Sequence, residues 1–129
     1  MPRILIIDDN AAVAMALEVL LELQHLHSVS ASTPEQGLAL LASSRFDLVI
    51  QDMNFSADTT PGVEGEQLFA QIRQAHPDLP VILLTAWTQL ESAIELVKAG
   101  AADYLAKPWD DRKLVATVNN LLELGESRR

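Results

Sequence analysis

The sequence predicts an α/β protein: one parallel sheet with helices on both faces. Two observations predict it. Five short apolar runs alternate along the chain with longer stretches whose apolar residues recur at helical spacing. The stronger runs are apolar throughout, the pattern of strands buried on both faces of a parallel sheet. The 129 residues suit one domain, with no internal repeat and no low-complexity segment.

Each element follows in order. Ile4 to Ile7 is the first strand, and Asn10 to Gln24 the first helix, with Val13, Leu17, Leu20 and Leu21 on one side. Val29 to Ser32 reads as a weaker strand. Thr33 is placed to N-cap a helix opened by Pro34 and carrying Leu38 and Leu41. Gly37, inside that helix, has no function that the sequence explains. Leu48 to Ile50 is the third strand. After a long polar loop, Glu66 to Ala75 presents Leu68, Phe69 and Ile72 as one face, and His76-Pro77-Asp78 ends it, with His76 expected to cap. Val81 to Leu84 is the fourth strand. Gln89 to Ala99 is a helix stopped by Gly100. Asp103 to Ala106 is a short fifth strand. Asp110 and Asp111 open the last helix, where acids suit the positive end of the dipole, and Leu114, Val118, Leu121 and Leu122 form its buried stripe. Residues 1–124 thus make the domain, and Gly125 to Arg129 reads as a tail or the start of a linker.

Composition excludes several classes. No cysteine is present, so disulfides, thiolate zinc sites and cysteine nucleophiles are ruled out. With no leader and no apolar run near the roughly 18 residues of a membrane span, a cytoplasmic protein is expected. The net charge is −9, and Arg128-Arg129 is too short a basic cluster for nucleic-acid binding, so partners are expected to be proteins. His25 and His27, if they share one side of an extended segment, still lack the further ligands zinc needs.

The chemistry sits where strands end. The first strand runs into Asp8-Asp9, the third into Asp52, the fourth into Thr85 and the fifth into Lys107. Ligands of open parallel sheets bind outside the carboxyl ends of the strands. Singly, Asp9 or Asn10 caps a helix, Asp52 is a loop acid, Thr85 a turn residue and Lys107 a solvated charge. Together, three carboxylates repel one another unless a cation neutralises them, and Lys107 brings one charge. Mg²⁺ suits such a site because it takes one or two carboxylates, keeps waters and accepts phosphate oxygens. A carboxylate nucleophile beside it can accept a phosphoryl group.

On Asp8-Asp9, Asp52, Thr85-Ala86 and Lys107-Pro108, all at strand ends and in one order, the chain closely resembles the response-regulator receiver domains of two-component signalling, from Arg3 to about Leu124. The resemblance implies a flavodoxin-like five-stranded parallel sheet of order 2-1-3-4-5. It implies that Asp52 accepts phosphoryl from a sensor histidine kinase. Asp9, Asp52 and the carbonyl of Asn54 would ligate Mg²⁺, and Asp8 would hold a metal-bound water. Thr85 and Lys107 would bind phosphoryl oxygens, and Tyr104 would turn inward as Thr85 moves. The surface of the fourth helix, fifth strand and last helix would switch, with a phosphorylation-dependent homodimer as one outcome. The Lys107-Pro108 bond resembles the family's cis peptide.

One departure stands out. The segment Pro61 to Gly65 resembles one that the family places nearer the acceptor, so the stretch around Phe55 to Thr60 lengthens that loop. This loop, with Thr85-Ala86-Trp87 and Lys107 to Asp110, is similar to receivers of sigma-54-dependent transcription activators. Trp87 would overlook the path of a hydrolytic water, and an indole cannot accept a hydrogen bond to orient one, so slow phosphate loss is expected. The alternative is a Mg²⁺-dependent phosphohydrolase with an aspartyl-phosphate. Haloacid-dehalogenase-type enzymes carry an acid two residues after the nucleophile, where this chain has Asn54, which cannot transfer the proton. A nucleotide- or flavin-binding module would need glycines after the first strand, where Asp8 to Ala12 has none.

Overall fold

The structure, a computed structural model, describes residues 2–55, 63–86 and 89–127. Five strands and five helices alternate: β1 (Arg3–Ile7), α1 (Ala11–Leu23), β2 (His27–Ala31), α2 (Pro34–Ser43), β3 (Leu48–Asp52), α3 (Val63–Ala75), β4 (Val81–Thr85), α4 (Leu90–Lys98), β5 (Asp103–Ala106) and α5 (Asp111–Ser127). The sheet is all parallel, in the order β2-β1-β3-β4-β5. Every strand therefore delivers its carboxyl end to one edge of the molecule.

Successive strand residues face opposite sides, so the sheet makes two cores. Leu5, Ile7, Val49, Met53, Val81 and Leu83 pack under Leu41 of α2, Leu68 and Phe69 of α3, and Ala93 of α4. Ile4, Ile6, Leu48, Ile50, Ile82 and Leu84 pack under Leu17 and Leu21 of α1, and Leu114 and Val118 of α5. Strands β3 and β4 are buried along their whole length. That burial makes a rigid platform for whatever stands at their ends.

The caps follow the sequence. Asn10 Oδ1 accepts from the amides of Ala12 and Val13, and Thr33 Oγ1 accepts from Gln36 N, so α1 and α2 begin where expected. Gly100, at φ 121°, follows the end of α4. The end of α3 differs in its means: the Arg73 guanidinium, rather than the His76 side chain, ties down this corner, donating to the carbonyls of His76, Pro77 and Gly100.

Several boundaries depart from the sequence reading. Strand β2 starts at His27, because its backbone pairs with β1 from Arg3 onward whatever its side chains. Helix α3 starts at Val63, with Glu64 and Glu66 in the first turn. Helix α5 runs on through Gly125 to Ser127. His25 sits in a turn at φ 61°, outside β2, so it shares no extended segment with His27. Gly37 gains a reason: a Cβ there would lie 2.5 Å from Ile7 Cδ1, so α2 packs on β1 at glycine distance. Among the described residues no helix is long and apolar enough to cross a membrane.

Candidate functional site

Strand β1 ends one residue before Asp8, which is 2% exposed and accepts the Asn10 amide on Oδ1 at 2.8 Å. Strand β3 ends on Asp52, itself 1% exposed. Lys107 follows β5 by one residue. Its amide donates to the Thr85 carbonyl at 2.8 Å, and its bond to Pro108 is cis, as the resemblance implies. Its Nζ reaches Asp52 Oδ1 at 2.9 Å and Asp8 Oδ2 at 3.3 Å. The Asn54 amide donates to the same Asp52 Oδ1 at 3.1 Å.

Carboxylate oxygens of Asp8, Asp9 and Asp52 all lie within 4.8 Å of one another. The electrostatic consequence falls on Asp52. Burial pushes its carboxyl up from 3.8 to about 6, and Asp8 adds to the shift, against the opposing pull of Lys107 and the Asn54 amide. Burial alone would lower the Lys107 ammonium, but Asp52 and Asp8 together hold it above the ordinary lysine range. One ammonium thus does not offset three clustered carboxylates. The donor set is oxygen throughout, which fits a hard divalent cation of the Mg²⁺ kind.

The remaining site residues lie close by without joining the cluster. Thr85, wholly buried at the end of β4, turns its hydroxyl toward α4, donating to the carbonyls of Ala86 at 3.3 Å and Gln89 at 3.4 Å. Tyr104, on β5, is partly buried against the core of the α2–α4 face. Trp109 donates its indole N–H to Asp111 and packs against the α1–α5 core. Trp87 and most of the lengthened loop, residues 56–62, lie outside the described residues. Sequence reasoning passed over Gln51, a wholly buried amide beside the acceptor position.

The family model for the response regulator receiver domain matches residues 4–119. The chain belongs to the response regulator receiver domain family. It is 39% identical to the response regulator protein FleR of Pseudomonas aeruginosa over 90% of its own length, and 35% identical to the DNA-binding transcriptional regulator NtrC of Salmonella typhimurium over 91%. The chain spans about a quarter of those relatives, 24% of each. Among solved structures, a receiver domain protein from Clostridium thermocellum superposes with TM-score 0.90 at 28% identity, each chain fully covered. A CheY-like receiver domain protein from Methanospirillum hungatei superposes with TM-score 0.87 at 28% identity, covering 100% of this chain and 99% of that one. In this chain the acidic cluster at the strand ends is made by Asp8, Asp9 and Asp52.

Proposed function

We propose that Asp52 is the phosphoryl acceptor of this receiver domain and that a sensor histidine kinase is its donor. The observation that carries this reading is the Asp52 carboxylate itself: buried at a strand end, with Oδ1 held by Lys107 and the Asn54 amide, and with two further carboxylates beside it. Fixing Oδ1 leaves Oδ2 to attack. The Oδ2–P bond forms as the P–N bond of a phosphohistidine breaks, and the imidazole nitrogen leaves with the electron pair. Asp9, Asp52 and the Asn54 carbonyl are the inferred Mg²⁺ ligands, with Asp8 holding a metal-bound water. When bound, the ion neutralises the carboxylates and the transferring oxygens, so that catalysis is mostly positioning and charge stabilisation.

Lys107 then holds one phosphoryl oxygen and the Thr85 hydroxyl another. To reach it, Thr85 gives up the Ala86 and Gln89 carbonyls, and Tyr104 follows into the space behind it. That shifts an existing equilibrium in the surface of α4, β5 and α5, the inferred seat of a phosphorylation-dependent homodimer. The domain is read as residues 1–124, acting in the cytoplasm as a phosphoacceptor and turning over no separate substrate. The name of NtrC, a DNA-binding transcriptional regulator, supports an output in transcription, and the sigma-54-dependent kind rests on the resemblance at the lengthened loop, Thr85-Ala86-Trp87 and Lys107 to Asp110 alone.

The test is direct. Acetyl phosphate with Mg²⁺ should add one phosphoryl mass to the intact protein, lost in Asp52→Asn. Unchanged labelling of that variant rejects the assignment.

A further inference from the structure

Gln51 is a fully buried amide one residue before the acceptor, on a strand whose other side chains on that face are apolar. Strand alternation turns it away from Asp52. It stands between Ile7 and Leu83 in the sheet and points at α3. An apolar residue would fill that place without desolvating an amide, so the polar group asks for a reason. Nε2 donates to the Gly65 carbonyl, in the first turn of α3, at 2.9 Å. The Asp52 carbonyl lies 3.4 Å from the same nitrogen and Met53 Sδ 3.7 Å. Oε1 is buried with no partner among the described residues.

Gly65 is what this amide holds. A Cβ there would lie 2.6 Å from the Met53 carbonyl oxygen and 2.7 Å from Met53 Cα. The first turn of α3 therefore rests on the backbone of Met53. That residue joins Asp52 to Asn54, whose amide holds Asp52 Oδ1 at 3.1 Å. A helix turn pressed on this short span limits how far the Asn54 peptide can rotate.

We propose that Gln51 is a positioning residue for phosphoryl acceptance: by fastening Gly65 it clamps α3 onto Met53 and sets the Asn54 peptide against Asp52 and the metal. The inference rests on Asp52 being the acceptor. Removing a partner that orients a metal's direct ligand typically weakens metal binding about tenfold or more. Gln51→Met keeps the length and volume and removes the donor.

The expected result is a Mg²⁺ dissociation constant about tenfold weaker by calorimetry. The Asn54 amide of the metal-free protein should exchange faster with solvent, and phosphorylation by acetyl phosphate should be slower at saturating Mg²⁺, all with an unchanged melting temperature. A purely structural amide would move the melting temperature and none of these. Wild-type Mg²⁺ affinity and wild-type Asn54 exchange in folded Gln51→Met would overturn the proposal. Should that variant fail to fold, Gln51→Asn, which keeps the amide but falls short of Gly65, is read by the same measurements with the same two outcomes. Wild-type protein labelled at Asp52, with Gln51→Met behaving identically, rejects the clamp alone. Wild-type protein not labelled at Asp52 rejects the underlying reading instead.

Discussion

Asp52 is an acid kept where charge is costly. Its carboxyl is raised to about 6 in the fold, against 3.8 ordinarily, chiefly by burial and secondly by Asp8. The folded protein therefore binds the proton more tightly than the unfolded chain. Stability falls as pH rises between those two values, and the full cost, at most about 3 kcal/mol, is present above the higher one. Asp52→Asn removes this cost, although among the described residues Lys107 then keeps only Asp8 as an ion-pair partner. In the absence of metal the variant should be more stable than wild type by about 1–2 kcal/mol at about pH 7.5 and nearly equal at about pH 4. Urea unfolding at both pH values measures it, and a variant no more stable at the higher pH contradicts the account. Asp8 and Asp9 divide differently. Asp8 is sealed and spends one oxygen on the Asn10 amide, whereas Asp9 is half-buried beside the cluster. Calorimetry should find that Asp9→Ala weakens Mg²⁺ binding more than Asp8→Ala. Equal affinity in wild type and Asp9→Ala would refute the metal site.

At the scale of elements, α4 is the shortest of the described helices. It has 9 residues, one fully buried side chain in Ala93, and no side-chain cap from Gln89. The Thr85 hydroxyl supplies a polar tie at its start, donating to the Gln89 carbonyl. Few buried contacts mean low local stability, the usual condition of an element that moves. Beryllofluoride with Mg²⁺ should therefore change amide exchange in α4, β5 and α5 while the centres of β1 and β3 stay protected. Sedimentation under the same conditions reads any dimer. Exchange on that surface left unchanged by activation would contradict the switch. The elements themselves were legible wherever apolar content decided them, as in β1, β3 and β4. Strand β2 was half legible: His27 and Ser28 carry no strand signal, and backbone pairing to β1 recruits them. The start of α3 was hidden because Gly65 looks like a helix breaker, while its role is close approach to Met53.

Taken as a whole, the molecule is a sheet sealed on both faces that concentrates polar chemistry on one edge. The acidic cluster was legible because the parallel sheet turns residues far apart in sequence into neighbours by rule: strand ends meet. Lys107 and Asp8, 99 residues apart, touch for that reason. The part that was not legible depends on contact between layers. Nothing in the run Leu48 to Met53 says that Gln51 bonds α3, because the partner is a backbone carbonyl 14 residues away. Nor does periodicity tell where Thr85 aims its hydroxyl, which depends on the path of the chain into α4.

The contact between Gly37 and Ile7 has a genetic consequence. Gly37→Ala improves helix propensity by about 1 kcal/mol, yet it drives a methyl into Ile7, and overpacking a full core costs about 1–3 kcal/mol. Because Ile7 directly precedes Asp8, the damage should also show as weaker Mg²⁺ binding, so this position should yield conditional alleles outside the acidic cluster. Ile7→Val deletes Cδ1, the atom 2.5 Å from the new methyl, and should act as an intragenic suppressor. Each single variant is expected to melt below wild type, and the double variant above Gly37→Ala, with a favourable coupling in the double-mutant cycle. Strictly additive melting and Mg²⁺ affinity across the four proteins would show that the two residues do not share this space.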